Sequence, residues 1–191
     1  MKNQGRAWMN EDIIMSPIGV LMVEHRLIER MVDLLEKELE KMGPEKKPDL
    51  VFFDGAVDFA KTYTDECHHG KEESILFDKL AMKRLTPEHK RLVDELVMDH
   101  IQSRKIVNNL DVQRELYLKG EAGAAGAIAT ICKTLAGFYP GHIEKEEKIF
   151  FTRSMEYFSK REQDEMLKDF WEFDKDLLLA KYLKFFDRYE R

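Results

Sequence analysis

HHGKEESILF, residues 68–77, sets two histidines and two glutamates into an otherwise apolar helical pattern. A second stretch, HIEKEEKIFF at 142–151, repeats it: histidine, two residues, Lys-Glu-Glu, one residue, isoleucine, then two bulky apolar positions. Two copies of a rare polar pattern in one small chain point to one site built from both.

The surrounding chain suits long amphipathic helices. It has 191 residues, 43% hydrophobic and 36% charged, with only 10 Gly and 5 Pro. That is enough for one domain with a real core, and the balance argues against disorder or a β-sandwich. A net charge of −6 argues against nucleic acid or an acidic membrane surface as the main partner. No apolar run approaches the roughly 20 residues of a membrane span. The N-terminus lacks the apolar core of a signal peptide. Cys67 and Cys132 do not make a disulfide framework, so a reducing cytoplasm is the expected location.

Punctuation divides the chain. Residues 1–15 read as a loose leader. Ser16-Pro17 is a cap followed by proline at the first helical position. The helix it opens stops at Gly43-Pro44. A second helix is expected over about 49–84. Thr86-Pro87 repeats the signal and opens a third, about 87–119, ended by Gly120. A fourth covers about 122–157, with a kink expected at Pro140-Gly141. Short connections favour an up-down four-helix bundle over 16–158. Ser159 with Glu162 forms a capping box and opens an additional C-terminal helix to about 188. Rich in Phe, Trp and Leu, it is expected to pack on the bundle or mediate a homodimer.

At about 100° per residue, each of four helices carries one histidine on its inward stripe. His25 falls near Ile18, Leu21 and Val32. His68 falls near Val57 and Ile75, His100 near Val93, Leu96 and Val107, and His142 near Ile131, Leu135 and Ile149. Glu72 and Glu146 lie one turn from His68 and His142 on the same face. A lone inward histidine is usually a hydrogen-bonded core residue. Four with two carboxylates are different, because burying two uncompensated carboxylates costs about several kcal/mol each. A dication removes that cost; a core network of Glu–His ion pairs is the structural alternative. Wheel and repeat both favour His68 and Glu72 over His69 and Glu73. His69, Glu73 and Glu147 read as solvated surface, with support of a ligand histidine as the next role for the two glutamates. His89 reads as exposed, and Cys67 as a packed thiol.

The order His, HxxxE, His, HxxxE on successive helices resembles the hemerythrin-like family of HHE cation-binding domains, over about residues 16–158. The resemblance implies an all-α four-helix bundle around two non-haem iron ions with an oxo or hydroxo bridge. Glu72 and Glu146 would bridge the irons; His25, His68, His100 and His142 would be terminal ligands. Oxygen-carrying members have five histidines and an aspartate in the last motif at a spacing one residue longer. Here Glu146 and then Glu147 occupy those spacings, and a fifth histidine would require His69 to turn inward. The set is more similar to members linked to nitric oxide, oxidative stress and iron-centre repair.

Three functions follow. The first is a di-iron protein that binds, senses or processes O2, NO or peroxide. The second is a stress protein that reduces NO or peroxide or repairs iron centres. The third is a helical interaction module with another metal or none.

Overall fold

Capping side chains set where the helices start. Ser16 accepts from the Gly19 amide at 3.2 Å and opens α1 (Pro17–Met42). Pro17 stands where no amide hydrogen is needed. Asp49 accepts from the Val51 and Phe52 amides at 2.9 and 3.2 Å and opens α2, which covers 50–81. Thr86 accepts from the His89 amide at 3.2 Å and opens α3 (Pro87–Leu118). Gly120 and Gly123 have φ of 78° and 86°, a left-handed conformation that glycine adopts without a Cβ clash. They turn the chain into α4, which covers 124–155 and continues through Pro140.

This computed structural model describes residues 16–43, 47–174 and 177–190, and of 177–181 and 184 only the backbone. The expected leader, 1–15, lies outside the described residues. Among the described residues there is no strand, and no helix is long and apolar enough to cross a membrane.

The helices α1 to α4 pack in sequence order, with α4 closing back on α1. The result is the expected all-α up-down bundle. Its interior holds two apolar clusters. One, from Leu27 and Ile28 to Leu135 and Ile143, fills the end near the α1–α2 and α3–α4 connections. The other, including Leu21, Leu76, Leu96 and Phe150, fills the opposite end. The polar residues of the two repeated motifs fall between them.

The C-terminal segment departs from the expected single helix. It forms α5 (Lys160–Phe173), started by the Ser159–Glu162 capping box, and α6 (Leu177–Tyr189). Asp174 is extended, with φ −83° and ψ 106°, and ends α5. Helix α5 contacts α1 and α2, and α6 contacts α2. Two glycines of α2 admit their rings: a Cβ on Gly55 would lie 1.9 Å from Phe185, and one on Gly70 2.9 Å from Phe173.

Phe170 of α5 is fully buried, whereas its neighbour Trp171 is 56% exposed. Phe170→Ala is therefore expected to cost about 3–5 kcal/mol in urea unfolding. Trp171→Ala should stay within about 0.5 kcal/mol.

Candidate metal centre

Helices α2 and α4 do not keep α-helical winding near the two motifs. Helix α2 is π-helical over Phe59–His69 and again over Glu72–Phe77, and α4 over Glu146–Phe150. A π turn bonds i to i+5 and takes in an extra residue. Each residue then advances by a smaller angle, and a wheel drawn at α-helical spacing loses register. Two expectations fail for this reason. His69 is not on the surface: it is 1% exposed, like His68. Ile149, expected inward, is 44% exposed.

Seven side chains meet between the apolar clusters. His25, His68, Glu72 and Glu146 bring one donor atom each within 4.8 Å of one another, and so do His69, His100 and His142. All seven are buried. The six residues singled out in the sequence are brought together, and His69 joins them, its ring stacked on His100 at 3.9 Å between centroids. Glu146 spans the two groups. One carboxylate oxygen lies 3.1 Å from His25 Nε2, the other 3.2 Å from His142 Nε2 and 3.6 Å from His100 Nε2. Glu72 Oε2 lies 3.3 Å from His100 Nε2 and 3.7 Å from His68 Nε2. These approaches are close but poorly directed. Both oxygens of Glu72, both of Glu146, and Nε2 of His100 and His142 complete no hydrogen bond.

Every histidine of the centre directs Nδ1 outward onto a carboxylate. His25 bonds Glu147 at 2.9 Å, His68 bonds Glu24 at 2.9 Å and His100 bonds Glu73 at 2.7 Å. His69 and His142 reach Asp65 and Asp99 at 3.4 Å. A carboxylate can only accept, so each Nδ1 carries the proton and each Nε2 turns inward, the usual support of a metal-bound imidazole. Each carboxylate meets a cation in turn. Arg26 pairs with Glu147 and Lys71 with Glu24. Arg104 bridges Asp65 and Glu73 at 2.7 and 2.8 Å, and Lys145 reaches Asp99 at 2.7 Å. Glu73 and Glu147 thus hold histidines; they are not an idle solvated face. Glu24, Asp65 and Asp99 were missed in the sequence. The available signal was an acid immediately before His25 and His100 and one turn before His69.

Burial and these charges set the protonation of the metal-free centre. Burial drives His68 down to about 3. Burial, with the neighbouring His100 and His68, drives His69 well below its ordinary value. For His25 burial also opposes charge, but Glu146 and Glu147 outweigh it and lift the group to about 9. His100 rises against burial to about 11 through Glu146, Glu72 and Glu73. Burial opposes charge on Glu146 as well, yet His142, His100 and His25 hold it well below the carboxylate range. Without metal, the centre holds Glu–His ion pairs beside neutral imidazoles.

The other singled-out residues lie elsewhere. His89, expected exposed, is buried at the end of the bundle, 3.2 Å from Ser154 Oγ and against Phe150 and Tyr157. Cys67 is buried on α2 with Sγ 3.2 Å from Asp174. Cys132 sits in the apolar cluster near the connections. Phe77, Phe138 and Phe151 stack on His100, His142 and His25, which sets apolar rings against the flanks of the centre.

Seven donors without a thiolate, several of them orphaned and the five histidines braced from outside, make a set that could hold metal cations. Neither curated proteins nor solved structures returned a match to the chain. The sequence model described as the hemerythrin HHE cation binding domain matches residues 16–154. The chain belongs to the hemerythrin HHE cation-binding family.

Proposed function

We propose that the centre holds two non-haem iron ions and binds a small molecule such as O2, NO or peroxide. The observation that carries this reading is the pair of orphaned, fully buried carboxylates between two groups of inward Nε2 atoms. His69, His100 and His142 would hold one ion, His25 and His68 the other, with Glu72 and Glu146 shared. Imidazole and carboxylate donors suit iron, and when bound the ions supply exchangeable electrons and coordination positions. The His25–His68 group has one nitrogen fewer, which would leave an ion held there more open to an outside ligand.

The chain's own residues support a small ligand. A cavity of about 20 Å³ lies in the apolar core, lined in part by Ile28, Thr64 and Tyr139. These positions are one turn from His25, His68 and His142 along their helices. That space suits a molecule about the size of water. Tyr139 bonds Ser103 at 2.8 Å, which fixes its hydroxyl. Thiol-dependent repair of iron centres has less support. Burial, with Asp174, pushes Cys67 up to about 12, and burial does the same to Cys132. A thiol held so high is a poor nucleophile. Two buried free thiols fit a reducing cytoplasm.

Protein made in iron-supplemented cells is expected to carry about two irons per chain, with a spectrum that changes on reduction and on exposure to O2 or NO. Zinc alone, or no metal, would overturn this reading in favour of an interaction module. Glu146→Ala, which removes a donor facing both groups, should leave little metal by elemental analysis. His69→Ala should lose about half of it, because one group loses a third of its nitrogens.

Loading should also release protons. His25 at about 9 and His100 at about 11 are protonated at neutral pH in the metal-free protein, and a metal takes the neutral imidazole. Ferrous iron added at pH 7.5 should therefore displace about two protons per chain in a pH-stat, and its apparent affinity should fall as pH is lowered. Iron binding with no proton release would contradict the charged state assigned to these histidines.

A further inference from the structure

We infer that Asp174, in the C-terminal segment beyond the family-matched residues, is a positioning residue of the metal centre. It acts on His68 through Lys71 and Glu24. This inference rests on the reading of His68 as a metal ligand.

The chain of contacts is continuous. His68 directs Nδ1 to Glu24 Oε2 at 2.9 Å. Lys71 donates from Nζ to Glu24 Oε1 and also to Asp174 Oδ2. Cys67 donates from Sγ to Asp174 Oδ1 at 3.2 Å. Lys71 is fully buried and Glu24 is 7% exposed, whereas the Asp174 side chain is 30% exposed. A lysine buried to that degree needs its charge answered on the spot.

The local backbone is built for this contact. Asp174 is the extended residue at which α5 ends, so its carboxylate can turn back onto α2. Next to it, the Phe173 ring sits so close to Gly70 that a Cβ there would be 2.9 Å away. Gly70 is the residue between His69 and Lys71. The segment therefore docks on 67–71, the stretch of α2 that carries both adjacent histidines.

The charges show what Asp174 contributes. With Glu24 as its sole partner, the Lys71 ammonium would neutralise the carboxylate that accepts from His68. Asp174 shares the ammonium and leaves the triad of two carboxylates and one lysine with a net negative charge. Glu24 then stays a strong acceptor for His68 Nδ1–H, and the imidazole becomes a better donor through Nε2. Removing the Asp174 charge should weaken the metal at His68 and favour its reduced form, because the lost charge is negative.

The test uses the full chain with ferrous iron as the probe. Wild type, Asp174→Asn and Asp174→Glu are compared by iron titration, reductive potentiometry and thermal unfolding. Asp174→Asn is expected to bind iron about tenfold more weakly, the lower end for a supporting partner of a ligand histidine. Its potential should move positive, and Asp174→Glu should restore both. Asp174→Ser, which removes the same charge from a partly exposed site, takes the place of Asp174→Asn if the latter does not fold. A lower melting temperature with unchanged affinity and potential would overturn the inference and leave Asp174 a purely structural clasp. Wild type that binds no iron would overturn the metal reading itself, and this inference with it.

Discussion

The burial of Glu72 and Glu146 in the middle of an apolar bundle governs the rest of the structure. Both are fully buried, and none of their four carboxylate oxygens completes a hydrogen bond. A buried carboxylate left unanswered costs about several kcal/mol, so positive charge must be close. Without metal, His25 and His100 supply it by holding protons well above their ordinary range. The same imidazoles become donors when a cation replaces those protons. Carboxylates outside the histidines, and lysines and arginines outside those, extend the alternation of charge to the surface. The polar layer can therefore sit between two apolar clusters without isolating a charge from its counterpart.

The widened winding of α2 and α4 makes the layer complete. On a regular α-helix, His68 and His69 would point about 100° apart, too far to serve one centre together. Within a π-helical run they diverge less. His68 joins His25, and His69 stacks on His100. The two donor groups lie side by side because adjacent residues of one helix feed both, while Glu72 and Glu146 bridge the gap. Such π turns in helices occur frequently at functional sites, and here they carry His68, His69 and the glutamates of both repeated motifs.

The C-terminal helices belong to the same design. Their rings seat against Gly55 and Gly70 of α2, and Phe170 fills the apolar cluster at the end of the bundle where α2 joins α3. Between them, Asp174 meets Lys71 beside the histidine pair. Stability and the setting of the centre thus share one interface. The glycine in HHGK leaves room for Phe173, and the lysine after it answers Glu24 and Asp174.

Local signals in the chain were enough for much of this. Ser16, Thr86 and Ser159 with their neighbours marked helix starts because a cap involves residues only two or three apart. Periodicity placed His25, His68, His100 and His142 inward, and the repeated motif joined Glu72 to Glu146, because regular winding and burial cost act within a single helix. Three features depended on contacts between helices. His69 turned inward where π winding replaced the α-helical default, among side chains of the neighbouring helices. Glu24 and Asp99 became supports of histidines on neighbouring helices, and each is an ordinary acid until those helices meet; Asp65 supports His69 one turn along its own helix, once that histidine has turned inward. The C-terminal helix divided at Asp174, where a carboxylate more than 100 residues from Lys71 in sequence reached a buried ammonium. Interactions within one turn can be read along the chain, whereas charges that answer each other across the bundle appear only once it is assembled.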